Sequence, residues 1–146
     1  MRHRTLLAAC TLTAAIATAG SLYFSEALGL VPCVLCWYQR ILMYPLVVVL
    51  GVATLEGRVG VWRTALPMST LGTVVAAYHV VLQRSSGLSC GIDGSCGAIL
   101  WHGLGVFTIP RLSLLAFLLV TLGVGLLALC DRGIADPLTL CSSERR

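Results

Sequence analysis

Four long apolar runs constrain the fold of this chain more than any other feature of its sequence. They cover residues 5–24, 37–55, 65–82 and 112–129, and each has the ~17–25 residues that a membrane-spanning helix needs. With 58% hydrophobic and 11% charged residues, the chain also has too few polar side chains to cover a water-soluble domain. The sequence therefore predicts an all-α membrane protein, in which residues 1–146 form one four-transmembrane-helix bundle with short extracytoplasmic loops.

The flanks of the first two runs carry further signals. A basic head and small residues near the end of the first run resemble a cleavable signal peptide. Because apolar residues continue past those small residues, at 22–24, we interpret the run as a retained span. Trp37, Tyr38 and Tyr44 begin the second run and are expected in the aromatic belt of a membrane interface.

The distribution of arginine predicts how the bundle is oriented. Four spans place both termini and the 56–63 turn on one side, which carries seven arginines against three on the other. Because cytoplasmic segments of membrane proteins are enriched in arginine and lysine, the termini are expected in the cytoplasm. The segments before the second and fourth spans then lie together on the extracytoplasmic side. The first group is Arg2, Arg4, Arg58, Arg63, Arg132, Arg145 and Arg146, and the second is Arg40, Arg84 and Arg111.

A Cys-x-x-Cys motif, Cys33 and Cys36, lies at the start of the second span. If Pro32 opens a helix, both thiols fall in its first turn, where unpaired backbone N–H groups and the helix dipole favour a thiolate. Arg40 follows Cys36 by four residues, so its guanidinium lies on the same helix face and can stabilise a negative sulfur. Zinc is the alternative, but it usually takes four ligands, and the sequence shows no second close pair of cysteines or histidines. The motif therefore predicts redox chemistry and no metal.

A second cysteine pair, Cys90 and Cys96, lies in the loop before the fourth span. Two glycines among the five intervening residues let the loop bend enough to close a disulfide. If this pair stood alone, a disulfide that only stabilises the loop would explain it as well as a redox role would. Span parity places both pairs on one side, and the arginine distribution makes that side extracytoplasmic and oxidising, so thiol–disulfide exchange can pass electrons between them. We expect a relay of these four cysteines and assign no chemistry to Cys10, Cys130 or Cys141.

Two ionisable residues within the spans indicate where such a relay ends. Arg40 and His79 each lie about one turn inside the expected extracytoplasmic boundary, a costly position that by default indicates function. The sequence shows no haem, flavin or iron–sulfur motif, whereas the membrane itself holds quinone. We predict that both side chains hydrogen-bond quinone carbonyls and stabilise negative charge there. The simpler interpretations are that Arg40 extends to the membrane surface and that His79 bonds a neighbouring helix.

These residues together resemble the disulfide bond formation protein B (DsbB) family, closest to its shorter BdbC-like branch. The resemblance rests on C-V-L-C-W-Y-Q-R at residues 33–40, on Y-H-V-V-L-Q at 78–83, on the second cysteine pair, and on F-T-I-P-R-L-S-L-L-A-F at 107–117. It implies a thiol:quinone oxidoreductase of the bacterial inner membrane. Such an enzyme reoxidises a thioredoxin-fold, DsbA-like dithiol oxidase and passes the electrons to ubiquinone or menaquinone.

The resemblance also implies a role for each cysteine of the relay. Cys90 would form the mixed disulfide with the partner, and Cys96 would exchange with Cys33. Cys36 would lie beside the quinone, with both ionisable residues lining the same site. The loop at 84–110 is shorter than in the longer branch of the family, which leaves open whether Cys96 exchanges in the same way.

Two other functions fit parts of the sequence. A non-enzymatic membrane protein would use its two disulfides only to brace the outer loops. A vitamin K epoxide reductase-like enzyme also couples Cys-x-x-Cys chemistry to quinone in a four-helix core. We rank that enzyme lower, because its motif is expected at the other end of the bundle.

Overall fold

The computed structural model describes residues 2–84 and 108–132, which form four long helices. Helix α1 spans Arg2–Leu22 and continues into a π-helical turn at Tyr23–Ala27. Helix α2 spans Val34–Glu56, α3 spans Trp62–Arg84 after a 3₁₀ turn at Val59–Val61, and α4 spans Ile109–Asp131. These ranges contain no strand, and all four helices are long and apolar enough to cross a membrane. The predicted all-α, four-helix membrane fold is confirmed.

The helices pack as a ring in which each contacts its neighbours in sequence and α1 closes against α4. Helices α2 and α4 lie across the diagonal. Leu7, Leu46 and Phe117 are fully buried at the centre of the ring. Large apolar side chains such as Ile16 and Leu122 point outward, at 63% and 64% exposure. An outer surface of this kind indicates a lipid surrounding, because a soluble protein rarely exposes so much apolar area.

Small residues let α4 approach two of its neighbours closely. A Cβ atom added to Gly72 of α3 would overlap the ring of Phe117, and one added to Gly123 of α4 would overlap the sulfur of Cys10. Close approach at small residues is common between membrane helices, because lipid provides little hydrophobic drive for their association. Cys10 is a free, buried thiol that fills this contact, as a packing residue does.

The two ends of the bundle differ in chemistry. At one end, Trp62 donates its indole N–H to Asp131 at 2.8 Å, and its ring lies beneath the guanidinium groups of Arg63 and Arg132. The dithiol lies at the opposite end, where α2 begins. The fold therefore places the Trp62 cluster and the reactive sulfurs at opposite ends of the bundle.

Candidate redox site

The dithiol lies at the N-terminus of α2. Cys33 is the N-cap residue, with an extended backbone (φ −70°, ψ 170°), and Cys36 lies in the first turn. The condition that Pro32 opens the helix is not met, because the Trp37 N–H donates to the Cys33 carbonyl and makes Cys33 the N-cap. Helix α2 therefore starts at Val34. The two sulfurs lie 3.1 Å apart and belong to free thiols.

Helix α3 brings His79 against the dithiol. His79 Nε2 lies 3.8 Å from Cys33 Sγ, and His79 Nδ1 lies 3.1 Å from Gln39 Nε2. His79 is 2% exposed and Gln39 6% exposed, so water hardly competes for these contacts. An amide can donate through nitrogen or, turned over, accept through oxygen, so Gln39 supports either tautomer of the ring. Sequence reasoning missed Gln39, although a glutamine inside an apolar run was the available signal.

The surroundings of Cys33 favour its thiolate. A hydrogen bond from the Cys36 thiol opposes the cost of burial, and His79 adds a second hydrogen bond and its charge, so the pKa of Cys33 falls to about 4. At neutral pH Cys33 is therefore an anion. The thiolate is the form of cysteine that takes part in disulfide exchange.

Arg40 is held by α1. Its Nε and Nη2 donate to the hydroxyl and carbonyl oxygens of Ser21 at 2.9 and 2.8 Å, and Nη2 also bonds Ser25 Oγ. Its guanidinium carbon lies 5.5 Å from the centroid of the Trp37 ring. Both serines lie where α1 passes into its π-helical turn. These bonds fix the guanidinium against the end of α1.

A cavity of about 470 Å³ lies between α1, α2 and α4, and Cys36 and Arg40 are part of its wall. Most of the other lining side chains are apolar, among them Phe24 and Met43. His79 is not among the lining residues. It lies against Cys33, so the dithiol has the cavity on its Cys36 side and the imidazole on its Cys33 side.

Two buried hydroxyls in the cavity wall have no hydrogen-bond partner among the described residues, namely Thr18 Oγ1 and Tyr44 OH. An unpaired buried hydroxyl costs about 1–3 kcal/mol, so it indicates a place for a bound polar group. Neither was predicted from the sequence. Trp37 and Tyr38 are about half exposed, as belt residues would be, whereas the Tyr44 hydroxyl is buried. Tyr44 lies one turn further along α2 than Arg40, and its ring packs against the core.

Three metal-ligand atoms converge at the dithiol. The sulfurs of Cys33 and Cys36 and a ring nitrogen of His79 lie within 4.8 Å of one another. Sequence reasoning found only two of them, because His79 follows Cys36 by 43 residues and only the packing of α3 brings it close.

The remaining cysteines lie elsewhere. Cys90 and Cys96 fall outside the described residues, so their pairing and their part in the relay stay predictions. Cys141 is also outside them. Cys130, in the last turn of α4, is disulfide-bonded, although the sequence analysis assigned it no chemistry.

The fold and the site define a multi-pass membrane protein with a redox-capable dithiol beside a cavity between its helices. Residues 3–127 match the family model described as disulfide bond formation protein DsbB. The chain belongs to this family, whose members are disulfide-forming oxidoreductases. The resemblance that was read from the cysteine motifs is confirmed.

Individual relatives agree with the family match. Disulfide bond formation protein C of Bacillus subtilis (strain 168) is 42% identical over 132 residues, which cover 87% of this chain and 96% of that protein. A probable disulfide formation protein of Metapseudomonas resinovorans is 37% identical, with 80% of this chain and 85% of that protein covered. One of Chlamydia caviae is 44% identical, with 68% and 74% covered. No solved structure matches significantly.

Proposed function

We propose that this protein is a membrane thiol:quinone oxidoreductase that reoxidises a thioredoxin-fold, DsbA-like dithiol oxidase. The observation that carries the proposal is the position of Cys36, in the wall of a cavity between membrane-spanning helices that also contains Arg40 and two unpaired hydroxyls. A soluble electron acceptor would not need a cavity at this place. A lipid-soluble acceptor would.

The cavity suits a quinone in size and chemistry. Ligand cavities commonly measure ~300–1,000 Å³ and combine apolar walls with a few placed polar groups, as the 470 Å³ cavity does. Arg40, Thr18 and Tyr44 would hold the carbonyl oxygens, and the apolar walls would hold the ring and the start of the tail. A bound quinone supplies the capacity to accept two electrons and two protons.

The thiol steps balance without any other reagent. In the first, the partner's two thiols become a disulfide while the disulfide between Cys90 and Cys96 becomes two thiols. In the second, those thiols reduce the disulfide between Cys33 and Cys36. Each exchange breaks one S–S bond and forms another, so two electrons and two protons pass from the partner's thiols to Cys33 and Cys36.

The last step re-forms the disulfide between Cys33 and Cys36, which gives up two electrons and the proton of Cys36, while the proton already lost from Cys33 would be held on His79. The anionic Cys33 enters this step without first losing a proton to solvent, and His79 lies close enough to hold a proton beside it. Arg40 favours negative charge at the cavity wall, because its guanidinium is held there by Ser21 and Ser25. His79 thus serves the dithiol in this proposal, and whether it also reaches the quinone stays a prediction.

Sidedness is part of the proposal. We place the protein in the bacterial inner membrane, with its termini in the cytoplasm and both cysteine pairs outside. The arginines clustered with Trp62 at the end of the bundle opposite the dithiol support this orientation, because cationic residues favour the cytoplasmic side. Family membership argues against a non-enzymatic, disulfide-braced protein and against a vitamin K epoxide reductase-like enzyme.

Turnover by the purified protein tests the proposal. The full chain in detergent receives a reduced thioredoxin-fold dithiol oxidase and a short-tailed ubiquinone or menaquinone, and both quinone loss and partner oxidation are followed. We expect the two to proceed one to one, to stop in Cys36→Ser, and to continue in the matched control Cys10→Ser. Partner oxidation without quinone loss, or no turnover with either quinone, would contradict the proposal.

A further inference from the structure

We propose that the reduced dithiol and His79 together form a binding site for a thiophilic divalent cation such as Zn²⁺ or Cd²⁺. The ligands are Cys33 Sγ, Cys36 Sγ and His79 Nε2. These atoms lie within 4.8 Å of one another and come from two different helices, which hold them together without an ion. The inference goes beyond the electron route, because it concerns a ligand of the same cysteines in their reduced state alone.

The distances are close to those that zinc requires. Bonds of ~2.3 Å to sulfur and ~2.0–2.1 Å to nitrogen in a tetrahedral site place two sulfurs about 3.8 Å apart and a sulfur and a nitrogen about 3.6 Å apart. The sulfurs here are 3.1 Å apart, and Cys33 Sγ lies 3.8 Å from His79 Nε2. The sulfur pair has to widen by about 0.7 Å, and the Cys36 sulfur starts within 4.8 Å of the imidazole nitrogen. Cys36 borders the cavity, which gives its side chain room to rotate and adjust both distances.

Gln39 gives the imidazole the support that metal-bound histidines usually have. A ligating histidine commonly donates its second ring N–H to a fixed acceptor, which sets the tautomer and the direction of the ring. Gln39 lies at that position, 3.1 Å from His79 Nδ1, and it is buried. With its amide oxygen turned toward the ring, Nδ1 carries the proton and Nε2 offers its lone pair beside Cys33.

The charge and the open position also suit a divalent ion. Two thiolates neutralise a charge of two, which keeps the cost of burial low, and their protons leave as the ion binds. Three protein ligands leave a fourth position, which in zinc sites is commonly taken by water. The cavity beside Cys36 provides space for that water.

Such a site is controlled by the redox state of the dithiol. The disulfide between Cys33 and Cys36 has no thiolate to offer, so the oxidised protein should not bind the ion. Once bound, the ion engages both sulfurs and blocks thiolate attack. Metal binding and disulfide formation therefore exclude each other.

Cadmium titration of the reduced protein tests the site. The variant used has the other five cysteines replaced by serine, is kept in detergent without oxygen, and is followed by the ultraviolet cadmium–thiolate absorption. We expect one Cd²⁺ per chain and no binding after oxidation of the dithiol. Gln39→Leu should weaken binding about 10–100-fold and His79→Ala at least as much. Tyr38→Phe, an exposed position on the same helix, should bind as the parent does.

Two results would overturn the site. One is equal cadmium affinity in the parent and in His79→Ala, which would mean that the dithiol alone binds the ion. The other is more than one chain per ion, which would mean that the ion links two copies. If the serine variant fails to fold, the reduced seven-cysteine chain is titrated instead, and the same loss in His79→Ala is required. Neither cadmium titration contains quinone or the partner protein. A negative result would therefore overturn the metal site and leave the proposed thiol:quinone activity untouched.

Discussion

Replacing Tyr44 with phenylalanine should have opposite effects on the protein without quinone and on quinone binding. The Tyr44 hydroxyl is buried in the cavity wall and has no partner among the described residues. In the quinone-free protein this unpaired hydroxyl lowers the stability of the fold. In the proposed complex it hydrogen-bonds a carbonyl oxygen.

The magnitudes follow from that difference. An unsatisfied buried hydroxyl costs about 1–3 kcal/mol, so its removal should stabilise the quinone-free protein by up to about that amount. A hydrogen bond to a neutral acceptor contributes about 0.5–1.5 kcal/mol, and about 1.4 kcal/mol corresponds to a factor of ten. The KM for quinone should therefore rise by about two- to tenfold, while the rate of disulfide exchange with the partner stays unchanged.

The assay is a steady-state titration with a short-tailed quinone, paired with thermal unfolding of the quinone-free protein. Tyr38→Phe is the matched control, because it removes a hydroxyl from an exposed tyrosine of the same helix. Tyr38→Phe should change neither the KM for quinone nor the thermal stability of the quinone-free protein. A Tyr44→Phe variant that binds quinone as tightly as the parent, or that is clearly less stable without quinone, would contradict a hydrogen bond from Tyr44 to the quinone.

Three further predictions concern the site and the core. Arg40→Met should raise the KM for quinone and leave partner exchange at the second cysteine pair largely intact, and equal loss of both in kinetic assays would indicate misfolding instead. Because the pKa of Cys33 is lowered to about 4, its alkylation rate in the reduced protein should stay nearly constant from about pH 8 to about pH 5, whereas a normal thiol loses reactivity below ~8.5. An alkylation rate with its midpoint near pH ~8.5 would contradict this prediction. The stability that the Cys33 thiolate contributes to the fold is complete above pH ~8.5 and is lost as the pH falls toward 4. Gly72→Val should destabilise the bundle by at least about 1–3 kcal/mol in denaturant unfolding, because the added atoms overlap Phe117. Gly125→Ala, with open space around it, should not.

The helices were predictable because a lipid-spanning segment has to be long and continuously apolar. Three of the four runs each lie within one observed helix, and the first run covers α1 and the start of the π-helical turn that continues it. The location of the dithiol at the start of α2 followed from the same pattern. The exact N-cap did not, because Pro32 is compatible with either the first helical turn or the residue just before it.

The rotation of each helix about its axis was much harder to predict. A helix that is apolar on all sides has little periodic signal to show which face meets its neighbours. The sequence placed Arg40 and His79 at a similar depth but could not show that Arg40 bonds Ser21 of α1 or that His79 of α3 lies against Cys33. Tyr44 was assigned to the interface for the same reason. Such contacts depend on which helices are adjacent, which one sequence does not reveal.

The most direct test of the electron route is a single-turnover experiment on the reduced Cys33 and Cys36 thiols. The protein is mixed with one equivalent of quinone without oxygen, and the thiols are trapped and mapped by mass spectrometry while quinol is measured. We expect one disulfide between Cys33 and Cys36 for each quinol formed. Quinol formation with both thiols still free, or intact quinone beside a reduced dithiol, would contradict it.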